Sequence, residues 1–263
     1  MRFELDEQQR DFAASIDAHP VDLVVALERL GRWCVPGPVT ESIAVAPVLL
    51  ATDDRCAALA SGELIATVAL PPHTPRAVDA DTAGLVLLAT VNGVTEAEPG
   101  AQHQSVDPSR RLYEVSATGE PWQADVNRAY EFGALATAAQ LVGAAEALRD
   151  AAVDYAKQRS QFGRAIGSYQ AIKHKLADVH IAIELARPLV YGAALTLSSR
   201  DVSAAKAAAS EAGLLAARAA LQTHGAIGFT QEHDLSLWLL RVQALRSAWG
   251  DPEAHRHRVL EAL

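Results

Sequence analysis

The stretch Tyr155-Ala156-Lys157-Gln158-Arg159-Ser160-Gln161-Phe162-Gly163-Arg164-Ala165-Ile166-Gly167-Ser168-Tyr169-Gln170 decides the fold. Gly163 and Gly167 bracket a turn, and on both sides the sequence reads as long helix. Upstream, Asp125 to Gln158 has few breakers and is rich in Ala, the strongest helix former. Downstream, Ser168 is placed to cap a helix from Tyr169 to about Ser199. Long helices joined by a short turn favour an antiparallel pair. Asp201 or Ser203 is placed to cap a third helix ending near Thr223. A fourth covers Leu235 to Ala248, and Pro252 opens a short terminal one. Residues 123–263 are thus expected to form a C-terminal antiparallel four-helix bundle, and the fold class is mainly α. Runs such as Ala204-Ala205 and Ala207-Ala208-Ala209 give faces with small side chains, suited to tight packing in the bundle or to close approach by another chain.

Working outward, residues 63–122 change character. Glu63 to Leu70, Gly84 to Val91 and Arg111 to Val115 are apolar, partly β-branched runs separated by Gly, Pro, Asp and Asn. They predict a reduced, small β region. Residues 1–62 read as a truncated N-terminal helical region. It holds a helix over Glu7 to Ala18, one over Val21 to Arg32 with Pro20 at its first position, and one capped by Thr40 that runs to about Leu50.

Half of the 263 residues are apolar, enough for a substantial core, and the net charge is −9. An acidic chain is a poor partner for nucleic acid or an anionic membrane, which reward basic patches. Glu4 and Asp6 interrupt any apolar leader, and no uninterrupted apolar run reaches the ~18 residues of a membrane span, so a cytoplasmic protein is expected. Cys34 and Cys56 lack CxxC spacing and read as buried reduced thiols. His255-x-His257 beside Glu253 lacks the i,i+4 spacing of a helical metal pair. It reads as part of a solvated terminal helix, with no metal site.

Two segments carry candidate chemistry. In the first, Arg159 is either a last-turn cation facing the helix dipole, with Phe162 plugging the bundle, or a donor for a pyrophosphate, with Phe162 as an apolar wall. Gln170 would then meet a ribose or adenine. The second is Gln222-Thr223-His224-Gly225-Ala226-Ile227-Gly228-Phe229-Thr230-Gln231-Glu232. Gly225 and Gly228 permit positive φ and let backbone amides approach a ligand, and the same spacing also serves as a helix-ending turn.

Together the two segments resemble the C-terminal domain of the acyl-CoA dehydrogenase family. The matching text is Tyr155-Ala156-x-x-Arg159-x-x-Phe162-Gly163, Gln170-Ala171-Ile172, Lys175-Leu176-Ala177-Asp178, then Gln222-x-x-Gly225-x-x-Gly228-Phe229-x-x-Glu232. The resemblance implies desaturation of an acyl-CoA thioester: a carboxylate removes the α proton while a hydride leaves the β carbon for FAD. It also implies an adenosine-pyrophosphate limb that crosses a subunit interface, met there by Arg159, Phe162, Gln170, Gln222, Gly225 and Gly228, and electron-transfer flavoprotein as acceptor.

The departures from the family are as informative. Most members place the catalytic Glu directly before Gly-Thr; here Trp249 or Gly250 stands at that position. A minority place it on the first long helix of this domain, where the matching residue is Gly133. Glu131 is two residues away, about 200° around a helix. The catalytic base is therefore unassigned. The flavin-contacting loop of the family's β domain also has no counterpart in residues 63–120: Val94-Thr95-Glu96-Ala97-Glu98-Pro99-Gly100 lacks the Ser-Asp ending. Ala226 replaces a usual Gly or Ser.

The pattern resembles the short, non-catalytic subunits of heteromeric α2β2 acyl-CoA dehydrogenases that act on steroids in actinobacteria. It implies a full-length partner subunit that binds most of the acyl-CoA and shares one FAD with this chain. Two alternatives stand beside it: a self-sufficient dehydrogenase with an unusual base such as Glu131, and a helical scaffold without flavin.

Overall fold

The computed structural model describes residues 19–230 and 233–263. The Glu7–Ala18 helix expected from sequence, and Gln231 and Glu232 of the second segment, lie outside the described residues. Contacts divide the chain into two compact units. Unit 1 holds Pro36–Ala136 with the described residues up to Leu23, and unit 2 holds Val24–Val35 with Thr137–Leu263.

Unit 1 is built on a five-stranded sheet in the order β1-β3-β4-β5-β2. The strands are β1 (Ala66–Ala69), β2 (Ala77–Val78), β3 (Leu85–Thr90), β4 (Gly93–His103) and β5 (Leu112–Ala117). β1 and β3 pair in parallel and the other pairs are antiparallel. The three expected apolar runs are β1, β3 and β5. The longest strand, β4, escaped the sequence reading because Thr95, Glu96, Glu98 and Pro99 give it no apolar alternation, and its register shifts between Pro99 and Gln102. Thr40 does not cap a continuous helix: its side chain makes no cap hydrogen bond. The segment forms a π turn, Glu41–Val45, followed by the short α2 (Ala46–Leu49). α3 (Arg55–Ala60) was not expected.

Unit 2 is the bundle. Its helices are α4 (Val126–Gln158, which begins in unit 1), α5 (Gln170–Thr196), α6 (Ser199–His224), α7 (Leu235–Ser247) and the terminal α8 (Pro252–Glu261). The caps differ from expectation. Ser198, not Asp201 or Ser203, caps α6 by accepting from the Asp201 N–H. Ser168 instead donates to the Ala165 carbonyl at 2.7 Å, and α5 has no side-chain cap. On α6 the alanines Ala205, Ala209, Ala216 and Ala220 are buried, so they serve packing inside the bundle.

One more helix completes the unit. α1 (Pro20–Arg32) crosses α4 at two glycines. A Cβ on Gly31 would lie 2.2 Å from the Gln140 carbonyl oxygen, and one on Gly143 1.9 Å from that of Glu28. Each helix thus admits the backbone of the other. Around the crossing Arg32 meets Glu146 at 2.9 Å and Asp150 at 2.8 Å, and Arg187 meets Glu28 at 3.0 Å. The last carbonyls of a helix need outside donors. The Trp238 indole N–H supplies one to Arg32 at 2.9 Å, and Arg241 donates just beyond it to Val35 at 2.8 Å.

Candidate functional site

The Arg159 segment leaves α4 as a tight hairpin, β6 (Ser160–Gln161) against β7 (Arg164–Ala165). Phe162 (φ +53°) and Gly163 (φ +80°) form its two-residue tip. Two positive φ values in succession match the right-handed twist of a hairpin, and Gly at the second position lowers the cost. The Ile166 N–H donates to the Arg159 carbonyl at 2.8 Å and closes the base. The Arg164 guanidinium lies over the Tyr169 ring at 4.0 Å, and the Tyr169 hydroxyl donates to the Gln161 carbonyl at 3.2 Å.

This geometry excludes one part of the packing reading of the segment. Phe162 is 93% exposed, so it does not plug the bundle. Arg159 is exposed, and among the described residues its guanidinium meets no carboxylate. Gln170, the first residue of α5, is exposed as well.

The second segment ends α6. Gly225 sits at its C-cap with φ +63° and ψ −139°, its N–H donating to the Leu221 carbonyl. That backbone region is essentially reserved for glycine. A Cβ there would meet nothing within 4 Å, so the turn is open on its outer side. Gly228 differs: it is buried, and a Cβ would lie 3.0 Å from His224 Cβ. Its missing side chain serves close packing. Gln222 is exposed, and its amide oxygen accepts from Lys175 of α5, while its amide N–H groups have no partner among the described residues.

The structure brings the two segments together through a contact the sequence did not reveal. Tyr155, one turn before Arg159, stacks on His224 with ring centroids 4.4 Å apart and planes at 26°. His233 meets the same imidazole edge-on at 5.2 Å. Burial first, and then the nearby His233, hold the His224 ring below its usual pKa, against a backbone bond to Ala220 that raises it.

The Trp249-Gly250 position, where the family base would stand, is closed. Trp249 is fully buried in a left-handed conformation (φ +57°). Its carbonyl accepts from His255 Nε2 at 2.8 Å. Lys206, also fully buried, donates to the carbonyls of Gly250 at 2.9 Å and Arg246 at 3.1 Å. Burial pushes the Lys206 amine down to about 7, opposed by Asp251 and aided by Arg246. Burial, and then the charge of Lys206, push His255 down to about 4. The terminal helix is therefore not wholly solvated as expected: His255 is inside, and Nδ1 accepts from Ser203 at 3.1 Å. Lys206 was legible in principle, since Val202, Lys206, Ser210 and Gly213 share one helical stripe and are buried together.

Of the alternative base positions, Gly133 carries no side chain and Glu131 is buried on α4 within unit 1. Among the described residues no group of His, Cys, Asp and Glu is arranged to hold a metal ion, and no helix is long and apolar enough to cross a membrane. Cys34 and Cys56 form no disulfide among the described residues and are only half-buried, not buried as expected.

Residues 124–263 match the acyl-CoA dehydrogenase C-terminal domain. The chain is 37% identical over 231 residues to acyl-CoA dehydrogenase IpdE2 of Mycobacterium tuberculosis, covering 84% of this chain and 71% of that one. Its fold is shared with the Tcur3481-Tcur3483 steroid ACAD (TM-score 0.81, 20% identity, 92% of this chain and 80% of that chain). It is shared too with the ChsE4-ChsE5 complex from Mycobacterium tuberculosis (TM-score 0.78, 21% identity, 91% and 79%). With the matched domain spanning both candidate segments, the chain belongs to the acyl-CoA dehydrogenase family.

Proposed function

We propose that this chain is the interface subunit of a FAD-dependent acyl-CoA dehydrogenase, pairing with a full-length member of the family that holds the flavin ring, the thioester and the base. One observation carries this reading. At the position where the resemblance puts the base, Trp249 is buried and Gly250 has no side chain, while Arg159 stays exposed with no carboxylate partner among the described residues and the Gly225 turn is open on its outer side.

The residues fit the limb of a dinucleotide. An unpaired guanidinium offers a planar fork of donors for a pyrophosphate. Gly225 lets backbone approach closely, the amide N–H groups of Gln222 and the amide of Gln170 suit a sugar or base, and exposed Phe162 supplies apolar cover. Gly228 acts by packing beneath the turn. When bound, FAD supplies the two-electron acceptor for the hydride leaving the β carbon. This chain's residues hold and orient the limb and shield it from water; they move no proton of the reaction. The relatives support a heteromer and a steroid-derived acyl thioester, since one structural neighbour is described as a complex of two chains and another as a steroid enzyme.

The test is to purify the chain alone and with its partner subunit, and to measure flavin absorbance and stoichiometry. The expected result is a colourless chain, a yellow complex with one FAD per pair of chains, and loss of most flavin from the complex carrying Arg159→Ala. A chain that is yellow and active alone, a colourless complex, or full flavin retention by Arg159→Ala would each overturn the reading.

A further inference from the structure

We infer that the Tyr155–His224 ring pair is the positioning element that sets the arginine hairpin against the glycine turn, so that one ligand limb is gripped by both. The inference rests on the flavin reading above. Neither ring is assigned ligand contact; they act through Arg159 and Gly225.

The pair is tied to the hairpin on one side. The Tyr155 carbonyl accepts the Arg159 N–H at 2.9 Å, and the Arg159 carbonyl accepts the Ile166 N–H at 2.8 Å. A shift of Tyr155 is therefore passed to Arg159 and to the closing strand. The pair is tied to the glycine turn on the other side. His224 immediately precedes Gly225, and its Cβ is the nearest atom, at 3.0 Å, to a Cβ placed on Gly228, with Leu221 next at 3.3 Å.

The imidazole has one allowed orientation. Its Nδ1 lies 2.8 Å from the Ala220 carbonyl, which can only accept, so Nδ1 carries the proton. The ring is fixed by that bond, by Tyr155 on one face and by the edge of His233. The Tyr155 hydroxyl makes no hydrogen bond among the described residues. What Tyr155 contributes is its ring face. Two stacked rings resist sliding and tilting in a way that an aliphatic contact does not.

The experiment uses the full chain purified with its partner and stripped of flavin. FAD affinity and kcat at saturating FAD are measured for Tyr155→Phe, Tyr155→Leu and Arg159→Ala. Hydrogen exchange at the Ile166 amide is followed without flavin. Tyr155→Phe is expected to keep the wild-type affinity, because the ring face remains. Tyr155→Leu is expected to weaken FAD binding about tenfold, the scale of one lost aromatic pair, with a much smaller effect on kcat at saturation and faster exchange at Ile166. Arg159→Ala is expected to weaken binding while leaving that exchange slow.

Wild-type FAD affinity in Tyr155→Leu beside weakened Arg159→Ala would sink the ring-pair inference and leave the flavin reading standing. Wild-type affinity in both would sink the flavin reading as well. A fall in kcat at saturating FAD equal to the fall in affinity would mark Tyr155 as a general structural residue, against the inference. If Tyr155→Leu does not fold, His224→Phe and His224→Leu decide the same point: the first keeps a ring pair and is expected to retain FAD, the second is not.

Discussion

In the Arg159 hairpin, the first residue of α5 and the end of α6, a guanidinium, a phenyl ring and two side-chain amides are exposed, and the Gly225 turn is open on its outer side. At the Trp249 corner of the same unit an indole, an imidazole and an ammonium are all fully buried, and the backbone carbonyls of Arg246, Trp249 and Gly250 accept from the last two. One region keeps an exposed guanidinium without a carboxylate partner among the described residues, and the other has its imidazole and ammonium bonded to backbone carbonyls. Unmatched exposed donors cost little, because water satisfies them, and they remain available to a ligand. A closed polar corner is available to nothing, and it adds rigidity only while every member has its partner. The difference separates a region open to a ligand from a region closed to one.

The comparison can be broken by substitution. The largest expected effect is Trp249→Ala, which empties a buried indole site and should lower stability by about 4 kcal/mol, read from a denaturant midpoint. Phe162→Ala at the open region should move the same midpoint by less than about 0.5 kcal/mol while weakening flavin retention. Similar midpoints for the two variants would erase the contrast.

Acid should act on the closed corner next. The folded His255 ring takes a proton only near pH 4, against an ordinary value of 6.5. The His255 contribution to stability is therefore complete above 6.5 and is lost as pH drops between those values, by at most about 3 kcal/mol. Lys206 titrates at about 7 when folded against 10.5 ordinarily. The unfolded chain binds the extra proton between those values, so stability rises with pH over that window. Melting temperature against pH should climb in both windows. Lys206→Met should flatten the upper one, and an unchanged upper limb in that variant would show that Lys206 is not its source.

A smaller, local effect is expected from Gly225→Ala. The added methyl meets nothing, so only the backbone is strained, by about 2 kcal/mol. Faster hydrogen exchange confined to residues around 225–229 would sharpen the picture of an open turn. Unchanged exchange there would count against it.

Much of this was legible in the sequence. Ala-rich stretches and a bracketed turn place α4, α5 and the hairpin, because helix propensity summed over long windows is informative. The resemblance put Trp249 or Gly250 at the family's base position, and nothing in the local sequence announced that Trp249 is fully buried there. What stayed hidden depends on tertiary context. β4 has no alternating pattern, since residues 98–102 are all exposed and neither side of its outer half faces a core. Ser168 has the composition of a cap but spends its hydroxyl on Ala165. Tyr155 and His224 lie 69 positions apart in sequence, and nothing local announces that their rings meet.

The glycine crossing of α1 and α4 bears on how this protein could be divided or inherited. The matched domain begins at residue 124. The compact unit that contains it also takes Val24–Val35 from far upstream. A piece cut at residue 124 would keep Gly143 but lose the helix that fills the groove beside it, exposing bare backbone and leaving Arg187 without Glu28. The boundary of the matched domain and the boundary that packing requires do not coincide. Shuffling this domain into another protein would succeed only where a helix with a glycine at the crossing came with it.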